Sequence, residues 1–123
     1  MTPAELKNRT KQFALRVIKL FRALPRTGEA QVIGRQLLRS ATSVAANYRA
    51  VCRARSDKEF ISKVSVVIEE ADESEFWIEL LIDSDIVPRE RLADLLNETN
   101  EIVRIMVSSR QTISERMKKC NQN

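Results

Sequence analysis

Pro3, Pro25 and Pro88 are the only prolines in the 123-residue sequence, and each stands where a helical hydrophobic period starts or stops. A proline ring fixes φ and removes a backbone donor, so it is tolerated in the first turn of a helix and otherwise ends one. Glycine occurs only at Gly28 and Gly34. The long segments between these breaks carry apolar residues at three- and four-residue intervals and lack the strict alternation of a strand. A chain with so few breakers and a 43% hydrophobic content predicts one all-α domain over residues 1–123 with a substantial core.

Thr2, Pro3 and Glu5 supply a capping hydroxyl, a first-turn proline and a first-turn carboxylate, which starts helix 1 at about residue 3. Leu6, Phe13, Val17, Leu20 and Leu24 form its buried stripe, and Pro25 ends it near residue 24. A short link capped by Thr27 makes helix 2, about 29–55, run back antiparallel. It buries Ile33, Leu37, Ala41, Val44, Tyr48 and Val51. The small residues from Ser40 to Ala46 let a neighbouring helix approach closely. Ser56 and Glu59 spell a capping box that opens helix 3, about 57–83. Helix 4 follows from Pro88 to about 117 on Leu92, Leu95, Thr99, Ile102, Met106 and Ile113. Lys118 to Asn123 have no apolar anchor and should fray. The expected architecture is an antiparallel up-and-down four-helix bundle.

Helix 3 is apolar on two sides. Phe60, Val64, Val67, Ala71, Ser74 and Ile78 share one narrow stripe at about 100° per residue. Val66, Phe76, Trp77 and Leu80 fall on the other side, with Glu69 and Glu73 among them. A single subunit would expose this second face, so the six residues are expected at a contact between copies of the chain or with a partner. A carboxylate beside such a patch needs a cation, and arginine is the expected one.

The net charge of +4 hides a division along the chain. Residues 1–24 hold six basic against one acidic residue and 29–56 hold five against one, whereas 57–83 hold two against nine. This split implies an internal or intersubunit charge match, a basic outer face for a polyanion, or both. Arg35, Arg39, Arg49 and Arg53 fall within roughly 80° on the side of helix 2 opposite its core stripe. Lys7, Lys11, Lys19 and Arg22 lie on the side of helix 1 opposite its buried stripe. Guanidinium forks bind phosphates and carboxylates alike, so the arginine ladder suits a nucleic-acid backbone or the acidic helix of another copy. No aromatic residue interleaves the arginines on that face of helix 2, which argues against base stacking on single strands.

Chemistry finds little support. There is no histidine, which removes the commonest general base and metal ligand together. The acidic cluster Glu69, Glu70, Asp72, Glu73, Glu75 and Glu79 sits on one helix, where a di-metal carboxylate site needs glutamates on facing helices. Two glycines cannot make a phosphate loop, and Cys52 and Cys120 read as reduced structural fillers. The chain is expected to be no enzyme and to hold no cofactor or metal. Glu5, Lys7, Arg9 and Lys11 stand where a signal peptide needs its apolar stretch, and no run of about 18 uncharged apolar residues occurs. A cytoplasmic protein without a membrane partner is expected. A membrane-surface role for basic helix 1 competes with the bundle for its modest apolar stripe.

The stretch from Leu38 to Tyr48, then Arg53-Ala54-Arg55-Ser56, Phe60-Ile61-Ser62-Lys63 and Glu70 to Leu81, closely resembles the four-helix-bundle proteins related to those encoded in intervening sequences of bacterial large-subunit ribosomal RNA. The resemblance implies a left-handed bundle assembled into a ring-like homopentamer. It also implies kinship with the accessory proteins of diversity-generating retroelements, similar pentamers that bind nucleic acid and a reverse transcriptase. Many relatives have glycine where Ala45 stands and a Glu-Gly pair at Ala50-Val51, so no functional glutamate carries over there. The leading expectation is a homo-oligomeric bundle, pentamer favoured, whose basic surface contacts RNA or DNA as an accessory factor. The competing one is a protein-only adaptor in which subunit pairing consumes the ladder.

Overall fold

The computed structural model describes residues 1–121 as four helices: α1 (Pro3–Ala23), α2 (Gly28–Val51), α3 (Asp57–Asp83) and α4 (Arg89–Asn121). Each packs against the next in an up-and-down bundle, and α4 returns to α1. The cyclic order leaves α1 and α3 diagonal to each other and out of contact, and the α1–α4 seam is the most thinly packed of the four. No helix is long and apolar enough to cross a membrane.

The predicted stripes form one core. Phe13, Val17, Leu37, Val44, Val64, Val67, Ile78, Ile102 and Met106 are essentially inaccessible, and burying side chains of this size contributes roughly 1.5–3 kcal/mol each. Leu20, Phe60 and Ile113, expected in the stripes, are only half-buried because they lie at the rim of the bundle. The small-residue run does bring helices close. Ser74 of α3 donates to Ser40 of α2 at 2.8 Å, and both hydroxyls are buried. On the α1 side, a Cβ added to Gly34 would meet Leu24 Cδ1 at 2.5 Å, so glycine permits the approach there.

Helix boundaries follow the local chemistry with instructive exceptions. Thr2 and Glu5 complete a reciprocal capping box on α1. Ser56 caps α3 through the Glu59 amide, but the Glu59 carboxylate pairs with Lys63 rather than reaching back. Thr27 occupies the cap position of α2 without engaging its hydroxyl, and Gln31 Nε2 donates to the Pro25 carbonyl in the same turn. At the end of α3, Asp85 adopts a left-handed φ of 60°. The Ile86 amide then reaches the Leu81 carbonyl and the Asp85 amide reaches Ile82, the paired bonds of a Schellman cap.

Two expected ends move. Helix α2 stops at Val51, four residues early, because the amides of Arg53 and Ala54 bond three residues back and tighten into a turn. Helix α4 stays regular through Asn121 where fraying was expected. Arg116 anchors it to Asp57 at 2.6 Å, and Lys118 and Lys119 complement the negative end of its dipole. Gln122 and Asn123, also expected to fray, lie outside the described residues. Cys52 and Cys120 are free thiols, but both are exposed rather than core fillers, since one follows the last packed residue of α2 and the other sits in the final turn of α4.

Candidate nucleic-acid interface

The arginine ladder is divided by angular position around α2. Taking Arg35 as zero, Arg39 turns roughly 40° one way around the helix and Arg49 roughly 40° the other. That difference sends them to different neighbours. Arg39 lies over the α2–α3 groove, where its guanidinium bonds Glu70 Oε2 at 3.2 Å and Glu73 Oε2. Glu73 also accepts from Trp77 Nε1 at 3.3 Å, and the Trp77 ring meets Phe76 edge-on at a centroid distance of 4.8 Å. The bond from Arg39 holds the Glu73 carboxyl below the usual carboxylate range against the opposing effect of burial. The arginine expected beside the acidic patch is thus Arg39 of the same subunit. Most of its charge is already answered.

Arg49 turns toward α1. It lines an open groove of about 590 Å³ between α1 and α2, together with Lys7 and Lys11. Ala4, Asn8, Thr42, Ala45 and Ala46 complete the lining, so the groove contains three cations, no carboxylate and no aromatic ring. The small residues at 42, 45 and 46 leave the space, and a strongly positive, open channel results. Neither Lys7, Lys11 nor Arg49 forms an ion pair among the described residues.

The remaining cations separate. Arg35 is exposed on the outer face of α2, and Arg53 lies in the turn beyond Val51, off the helix that was expected to carry it. Lys19 lines a different groove, between α1 and α4, and Arg22 is exposed in neither. Of the apolar face, Val66 and Phe76 are 39% and 53% exposed, whereas Trp77 and Leu80 are half-buried against the core. Trp77 sits about 100° from Phe76 around the helix and therefore leans toward α2. Glu69 is exposed. Among the described residues, no three His, Cys, Asp or Glu side chains are placed to hold a metal ion.

Sequence reasoning missed Ala4, Asn8, Thr42, Ala45 and Ala46 as groove residues, and Glu70 as a partner of Arg39. The small-residue run was the available signal. Close helix approach accounts for Ser40, whereas Thr42, Ala45 and Ala46 line the groove on the α1 side.

Residues 4–108 match the family of 23S rRNA-intervening sequence proteins. The chain belongs to that family. Consistent with membership in the 23S rRNA-intervening sequence family, the bundle is similar to the 1.70 Å crystal structure of a protein of unknown function from the S23 ribosomal protein family of Bacteroides thetaiotaomicron VPI-5482. The two share 33% sequence identity with a TM-score of 0.83, over 90% of this chain and 99% of that one. No curated protein matches the chain.

Proposed function

We propose that this member of the 23S rRNA-intervening sequence family is a non-enzymatic, left-handed bundle that assembles into a ring-like homopentamer and binds the backbone of RNA or DNA as an accessory factor. The observation that carries the binding is the α1–α2 groove, in which Lys7, Lys11 and Arg49 face a floor without a carboxylate. Three uncompensated cations on a low-relief surface attract a polyphosphate but offer no base-edge readout, so affinity is largely independent of sequence. The assembly rests on the exposed Phe76 and Val66 face, and the number five on the family resemblance carried by helices 2 and 3. Repetition of the groove around a ring adds avidity. The absence of histidine in the sequence, which removes the commonest general base, supports a binding role over catalysis.

The test is fluorescence anisotropy with a labelled duplex DNA of arbitrary sequence over a salt series. Each phosphate contact contributes about 0.9 to the slope of log affinity against log salt, so K7A/K11A/R49A should flatten the slope by roughly 2.7 per engaged subunit. Arg39→Ala should leave it nearly unchanged, because Glu70 and Glu73 already neutralise that guanidinium. Equal losses from both variants, or none from the triple variant, would refute the assignment of the groove.

A further inference from the structure

The outward edge of α3 and the α1–α4 seam carry opposite charge around apolar centres. Around α3, Glu69, Asp72, Glu79 and Asp83 all lie within roughly 60° of Phe76, and all five side chains are exposed. None of the four carboxylates has an ion partner among the described residues. The edge is an acidic ridge with a phenyl ring standing at its centre. On another side of the bundle, the thinly packed α1–α4 seam opens into a groove of about 600 Å³. Its floor is apolar, built on Leu20, Leu92 and Leu95. Its rim carries Arg16, Lys19 and Arg91, with no acidic residue in the lining.

An isolated cation rim could attract any anion, and an isolated apolar ridge could meet any apolar surface. Here each surface supplies what the other lacks. The ridge brings an aromatic side chain flanked by carboxylates, and the groove brings aliphatic walls flanked by cations. Because α1 and α3 occupy diagonal positions and do not touch, one subunit cannot satisfy its own pair. We infer that the α1–α4 groove receives the α3 edge of a second copy of this chain, with Phe76 inserted between the aliphatic walls and the ridge carboxylates facing Arg16, Lys19 and Arg91. Such a contact joins two different surfaces, so it is head-to-tail and propagates until a ring closes. It uses neither Lys7, Lys11 nor Arg49, which leaves the α1–α2 groove open in the assembled particle. The inference rests on the assembly part of the function proposed above and specifies its mode.

Mixing two defective chains tests it. Phe76→Asp places a charge where an apolar contact forms, removing the ridge but keeping the groove. R16E/R91E reverses the rim, removing the groove but keeping the ridge. All three positions are exposed, so folding is not at stake, and D72K/E79K provides a second ridge-defective chain. Light scattering should give a particle of several subunits for the unaltered protein and 14.1 kDa for each variant alone. An equimolar mixture of F76D with R16E/R91E should give a 1:1 dimer of about 28 kDa and nothing larger, because one intact contact forms and neither free end can extend it. If the unaltered chain is a monomer, the assembly reading and this inference both fail. If it assembles but R16E/R91E assembles equally well, the contact lies elsewhere and the inference alone is overturned.

Discussion

Replacing Arg9 by Met should cost about 2 kcal/mol of folding stability, nearly all of it through one of its two acidic partners. Arg9 closes the thin α1–α4 seam. Its Nε donates to Glu98 Oε2 at 2.8 Å and its Nη2 to Glu98 Oε1 at 2.5 Å, while Nη2 also lies 2.6 Å from Glu101 Oε2. The geometry favours both carboxylates, but their surroundings differ. The Glu98 side chain is 17% exposed and that of Glu101 is 62% exposed. Exposed ion pairs contribute about 0.2–1 kcal/mol, whereas a largely buried acceptor that loses a charged donor costs about 1–3 kcal/mol. Double-mutant cycles followed by denaturant unfolding at fixed protein concentration should therefore give a coupling near 1.5–2 kcal/mol for Arg9 with Glu98 and under about 0.5 kcal/mol for Arg9 with Glu101. The forked bond from Arg9 holds the Glu98 carboxyl below its ordinary value of 4.5. A carboxylate depressed in the folded state stabilises fully above its unfolded pKa, and that contribution is lost as pH falls through the folded value. The Arg9–Glu98 coupling should be flat from pH 7 to about 5 and decline below 4.5. Equal couplings for the two carboxylates, or a Glu98 coupling that grows on acidification, would refute the role assigned to burial.

Ser74→Ala should cost about 0.5–1.5 kcal/mol, since Ser40 keeps its bond to the Leu37 carbonyl. S40A/S74A should be no worse than the single change, whereas Ser40→Leu should destabilise by more than 2 kcal/mol by forcing α2 and α3 apart; thermal unfolding distinguishes the three. Burial first, and then the neighbouring Glu79 and Asp72, raise the Glu75 carboxyl above its usual range. The Asn100 side-chain amide of α4 answers it by donating to both Glu75 oxygens, at 2.8 and 3.0 Å, so Asn100→Ala should cost about 1–3 kcal/mol at pH 7 by leaving the carboxylate unpaired. The loss should shrink as pH falls and the carboxyl protonates, which denaturant midpoints at pH 7 and pH 4 would detect.

The linear sequence determined the parts of this protein that depend on neighbours along the chain. The prolines, the Thr2–Glu5 box and the Ser56 cap place helix starts, and the hydrophobic period names most core residues from Leu6 to Met106 but not Ala14, Ala30, Leu81, Ile82 or Val87, because apolar spacing and backbone satisfaction are local. The acidic character of α3 and the basic character of α1 and α2 were likewise countable. What the sequence alone left open was which helix each outward residue would face. Arg39 and Arg49 sit on one face by periodicity, yet the packing of α3 on one flank of α2 and α1 on the other neutralises the first and exposes the second. The turn at Arg53, made by two backbone bonds, removes another member of the ladder. Arg16 and Arg91 are 75 residues apart and meet at one groove only because α4 closes against α1. Electrostatics acts through space over a few ångströms, so the division of these cations between neutralised and free was decided by tertiary packing.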